Sequence, residues 1–127
     1  MARKRSLNLT DAELRLMEVL WDKGSGTVAD VMEGLPSDVA LAYSTVLTTL
    51  RVLEKKGYLK HTKEGRAFTY RPAVGRDQAR DSALSHLVHR FFHGSPELLM
   101  LNLVEGGKVN RKHLQELRNR IAEKEED

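Results

Sequence analysis

The chain has 127 residues, 40% hydrophobic and 31% charged, with a formal net charge of +3 and no cysteine. This length suits one domain, or one small domain plus an appendage. The lack of cysteine excludes disulfides and thiolate metal sites and fits a reducing cytosol. No apolar run approaches the ~20 residues of a membrane span, and the basic start MARKRSLNLT lacks the apolar core of a secretory signal. The charge is uneven: residues 1–73 carry 12 Lys and Arg against 9 Asp and Glu, and residues 74–127 carry 9 against 9. An excess of cations in the first part suggests a polyanion partner there and another task for the second part.

Thr10-Asp-Ala-Glu13 is a capping box, and Leu14, Met17 and Trp21 follow at helical spacing. A first helix is expected over about 11–22, stopped by Gly24 and Gly26. Thr27-Val-Ala-Asp30 opens a short second helix ending near Gly34-Leu-Pro36. A third helix runs over about 43–56, with Gly57 at its C′ position. Leu59, His61 and Lys63 then alternate with polar residues, as do Phe68 and Tyr70, around Glu64-Gly65. This pattern is a β-hairpin that Pro72 terminates. Three further helices follow: about 76–92, 97–105 after Ser95 as N-cap and Pro96 at N1, and a last one capped by Asn110.

Helix, short helix, tight connection, helix and hairpin is the element order of a winged helix-turn-helix. The third helix carries a buried stripe of Val46, Leu50 and Leu53 and an opposite face of Ser44, Thr48, Arg51 and Lys55, flanked by Thr45. Short hydroxyl side chains can approach base edges, and Arg51 can fork a guanine or a phosphate. Lys55 and Lys56, near the helix end, suit phosphate contacts. Lys63 and Arg66, with Lys60 and Arg71, add cations on the hairpin, and Arg3-Lys4-Arg5 forms a basic arm. The same elements can also serve protein contact, so both readings stay open at this point.

In the second part, Leu84, Leu87, Val88 and Phe91 form a wide apolar face, and the 97–105 helix is apolar nearly all round, with Leu98 and Leu101 among its residues. Leu114 and Leu117 continue the pattern on the last helix. Little chain remains to cover these faces, so a homodimer through residues 76–124 is expected, with its two recognition helices on a palindromic site. His86, His89 and His93 fall on one side of the fourth helix at i, i+3, i+7. They are weak candidates for a metal site, because no acid or cysteine shares their stripe. An alternative function follows, a metal- or partner-responsive interaction module. No phosphate loop, HExxH or nucleophile elbow occurs, so neither an enzyme nor a cofactor is expected.

"LTDAELRLMEVLW", "YSTVLTTLRVLEKKGYL", "GRAFTYRP" and "LLMLNLVE" resemble the BlaI/MecI family of penicillinase repressors, to which the copper-responsive CopY repressors also belong. The likeness runs from about Leu9 to Ile121. It implies a cytoplasmic homodimeric repressor of a palindromic operator, mainly α with a small β-hairpin. A winged-helix DNA-binding domain would occupy residues 1–74 and a helical dimerisation domain residues 75–127. Thr45 and Thr48 match the family's recognition-helix Thr-x-x-Thr pattern, and Lys55-Lys56-Gly57 its basic end. The resemblance also implies a membrane-bound sensor protease as partner, cutting the dimerisation domain at an Asn–Phe bond. Here Asn102-Leu103 stands at that place, with Leu for Phe. The Cys-x-Cys motif of the copper-responsive branch is absent.

Overall fold

A computed structural model describes residues 9–126, in the order α1 (Asp11–Lys23), α2 (Val28–Gly34), α3 (Tyr43–Lys55), β1 (Leu59–Glu64), β2 (Ala67–Pro72), α4 (Arg76–Phe91), α5 (Pro96–Glu105) and α6 (Arg111–Glu126). The basic arm Arg3-Lys4-Arg5 lies outside the described residues. By contacts the chain divides between Ala83 and Leu84, inside α4. Among the described residues no helix is long and apolar enough to cross a membrane.

Both N-terminal capping boxes form. The Thr10 hydroxyl accepts from the Glu13 amide while the Glu13 carboxylate accepts from Thr10 N–H, and Thr27 and Asp30 repeat the arrangement at α2. Thr27's backbone and hydroxyl both favour the anion, in that order, and hold the Asp30 carboxyl below its usual range. α3 ends in a Schellman motif: Tyr58 N–H donates to the Leu53 carbonyl at 2.9 Å and Gly57 N–H to that of Glu54 at 3.0 Å. Gly57 takes φ +92°, which a side chain would strain. The chain is thereby aimed directly into β1.

The strands pair antiparallel, with His61 opposite Tyr70 and Lys63 opposite Phe68. One pairing has no counterpart in the sequence pattern: Gly26 bridges Tyr70 through two backbone bonds of 2.9 and 2.8 Å. A Cβ at Gly26 would sit 3.0 Å from the Asp30 Cβ, so the capping box of α2 crowds this position. Gly26 thus docks the hairpin, while the first helix ends earlier, at its C-cap Gly24.

The core of this unit is Leu16, Met17 and Leu20 of α1, Val31 of α2, Val46, Leu50 and Leu53 of α3, and Tyr58, Leu59, Tyr70 and Val74 from the hairpin and its flanks. The Trp21 indole N–H donates to the Val74 carbonyl at 2.9 Å, closing the hairpin's exit onto α1. Arg76 bonds Asp22 at 2.8 Å and Glu18 at 2.9 Å, and these partners, Asp22 first, raise its pKa further. The first turns of α4 therefore belong with the N-terminal unit.

The second unit is organised differently. Ser95 caps α5 through the Leu98 amide, and Asn110 caps α6 through that of His113. Yet α4, α5 and α6 contain no buried residue. Leu84, Leu87, Phe91, Leu98, Leu101, Leu114 and Leu117 are all exposed, Phe91 at 62%. Val88 is half-buried. Among the described residues the apolar α5 is not enclosed within one chain, and the expected cover is a second copy.

Candidate nucleic-acid interface

The inward stripe of α3 is fully buried, with Val46, Leu50 and Leu53 each at 0% exposure. That fixes its rotation, and Ser44, Thr45, Thr48, Arg51 and Lys55 are all exposed. Ala42 supplies no side-chain cap and the first turn has no acid. The leading amides and the hydroxyls of Ser44 and Thr45 thus form a neutral-to-positive donor end suited to an anion. Thr49 is withdrawn from this face, its hydroxyl bonding back to the Thr45 carbonyl at 2.7 Å.

Lys60, Lys63, Arg66 and Arg71 project from the exposed hairpin. A groove of about 360 Å³ separates hairpin from helices, lined by Thr27, Tyr43, Leu47, Arg51, Arg66 and Phe68 among others. Two cations from different elements therefore face one concave surface, which focuses positive potential.

Side chains fasten the hairpin to the recognition helix. The His61 Nδ1 lies 2.6 and 2.8 Å from the two Glu54 carboxylate oxygens. Its ring stacks on Phe68 at 4.5 Å and meets Tyr70 at 5.7 Å. Tyr70 is buried, and burial pushes its phenol above the ordinary range; the Glu54 carboxylate adds to this, and the Arg51 guanidinium opposes it. Arg51 remains exposed on the reading face. His61, Phe68 and Tyr70 were not among the sequence candidates. Their period-two alternation on paired strands places them on one face, a signal that was there to be used.

Lys56 differs from Lys55. It is half-buried, and its Nζ lies 2.8 Å from the Glu13 carboxylate on α1. Burial alone would raise the Glu13 pKa. The Lys56 bond and charge, with the Thr10 backbone and hydroxyl, outweigh that and hold the carboxyl below its usual range.

In the second unit, Asn102 is exposed and Leu103 half-buried within α5, and the Asn102 carbonyl accepts from Gly106 N–H at 2.9 Å. His86, His89 and His93 are not gathered into a metal-ligating group among the described residues. The expected stripe fails because α4 ends at Phe91, leaving His93 in a turn at φ +50°. This arrangement does not favour the metal-responsive alternative.

The penicillinase repressor family model matches residues 9–123. The chain belongs to that family. It is 31% identical over 114 residues to the penicillinase repressor of Bacillus licheniformis, covering 90% of this chain and 89% of the relative. It is 33% identical over 119 residues to the transcriptional regulator BlaI of Mycobacterium tuberculosis (strain ATCC 25618 / H37Rv), covering 92% and 85%. Among solved structures it is similar to the solution structure of the DNA-binding domain of the repressor BlaI. There the TM-score is 0.53 at 36% identity, over 60% of this chain and 93% of that one. The winged-helix reading and the family resemblance are both borne out.

Proposed function

We propose that the chain is a cytoplasmic transcriptional repressor that binds a palindromic operator as a homodimer. The observation that carries this reading is the α3 face. Ser44, Thr45, Thr48 and Arg51 stand exposed on a helix whose opposite stripe is wholly buried, in a chain that belongs to a family of repressors. In the major groove, Thr48 and Arg51 meet base edges, while Ser44 and Thr45 at the helix start meet bases or a phosphate. Lys55, Lys63 and Arg66 neutralise backbone phosphates and set the register. Lys56 contributes by fastening α3 to α1 through Glu13, which keeps the reading face in place. The domain at residues 1–74 reads DNA, and the remainder pairs two copies through Leu84, Leu87, Val88, Phe91, Leu98, Leu101, Leu114 and Leu117.

Release by a membrane-bound sensor protease would act at Asn102-Leu103. Because this bond lies inside α5, cutting it needs that helix to open locally.

The test is a titration of the promoter DNA beside the chain's own gene, at two salt concentrations. Specific binding survives an excess of random DNA and weakens as salt rises, through counterion release. Equal affinity for random DNA would overturn the repressor reading.

A further inference from the structure

A second concavity lies away from the reading face, within the N-terminal unit. It measures about 320 Å³, within the range of small-molecule sites. Leu9, Leu14, Trp21 and Tyr58 line it from one side, and Ala79 and Ala83 from α4. The two alanines are i and i+4 on one helix face, so small side chains leave the space open. Its polar groups are Glu18 and Arg80.

The apolar wall is set in advance. Trp21 is held by its bond to the Val74 carbonyl, and the Arg76 guanidinium lies 5.5 Å from its ring centroid. Arg76 also bonds Glu18 at 2.9 Å, so the acid of the cavity already has its counter-ion. Arg80 is paired more loosely: among the described residues its ion pair is with Asp77 at 3.9 Å, both side chains largely exposed. An apolar slot with a compensated acid and an available guanidinium is complementary to a flat apolar body bearing one negative group. Arg can fork a carboxylate with two parallel bonds. We infer that this cavity binds a small aromatic carboxylic acid, with its ring between Trp21 and the Ala79–Ala83 face and its carboxylate on Arg80.

The chain has a single tryptophan, so its indole N–H gives one resonance that reports on this wall. The test titrates the full chain with 2-naphthoate, and in parallel with neutral 2-naphthamide, by calorimetry and ¹H–¹⁵N spectra. Naphthoate is expected to shift the indole resonance and to bind about tenfold more tightly than the amide. Arg80→Gln should remove that preference while leaving amide binding intact. Ala83→Phe, which fills the slot, should abolish both. Far-UV circular dichroism of each variant separates loss of the site from loss of fold.

No binding at millimolar naphthoate would overturn the inference. So would binding that leaves the indole resonance in place or ignores both substitutions, which is adsorption to apolar surface elsewhere. An indole resonance that moves on protein dilution and ignores naphthoate would assign the cavity to a second copy of the chain, and equally overturn it. None of these readouts depends on DNA binding.

Discussion

The two units of this chain use similar amphipathic helices to opposite ends. In the N-terminal unit, the apolar stripes of α1 and α3 meet one another and the hairpin, and Leu16, Leu20, Leu50 and Leu53 are fully buried. In α4 to α6 the leucines are as frequent, yet among the described residues these helices bury none of them, and Ile121 is 58% exposed. A hydrophobic face states that it will be covered, and not by what. The N-terminal unit finds its cover in its own fold, whereas for the other we propose a second copy as the cover. Exposed apolar surface on three successive helices fits the proposed pairing of two copies.

Charging the uncovered faces should have the largest effect. Leu101→Asp with Leu117→Asp should give a monomer that keeps its N-terminal fold. It should lose about 10²- to 10⁴-fold in operator affinity, because the second half-site contact is no longer intramolecular. Sedimentation and DNA anisotropy check this together. Next in size, Leu50→Ala should cost about 2–5 kcal/mol through the cavity it leaves, at any protein concentration. The matching Leu117→Ala should instead make the unfolding midpoint depend on concentration. If both losses were independent of concentration, the contrast between the units would be wrong.

Glu13→Gln sharpens the internal side of the contrast. It removes one carboxylate partner from the half-buried Lys56 and weakens the α1 capping box, a loss of about 2 kcal/mol by urea unfolding at neutral pH. The wild-type carboxyl is held below its normal value of 4.5. A depressed carboxyl stabilises the fold above the unfolded pKa and loses that contribution as pH falls through the lower folded one. The wild-type advantage over the Gln variant should therefore be full at neutral pH and shrink below about pH 4.5. The smallest effects belong to the reading face. Thr48→Ala should cost about 1–3 kcal/mol of discrimination at one base position. Lys63→Ala should weaken all sequences alike and lower the salt slope by about 1.

Much of the fold was legible because its signals are local. The Thr10–Glu13 box, the Thr27 and Ser95 caps, the Gly57 terminus and the hairpin alternation each lie within a few residues, where spacing reports geometry. The Thr48 and Arg51 face followed from the rotation that Val46, Leu50 and Leu53 impose. What escaped was non-local or ended a pattern early. Lys56 and Glu13 are 43 positions apart, and no periodicity links them. The Gly26–Tyr70 bridge is a single pair, too short to leave an alternating signature. The Glu54–His61 clasp spans the turn at Gly57, where helical spacing rules lapse. The histidine stripe failed through a helix end one residue earlier than expected, enough to turn His93 out of line.

In the proposed repressor the uncovered helices are the contact between two copies. Sedimentation equilibrium of the free wild-type chain at micromolar concentration tests this most directly. The account predicts twice the chain mass, falling to the single-chain mass for the Leu101→Asp, Leu117→Asp variant. The single-chain mass for the wild type at micromolar concentration would contradict it.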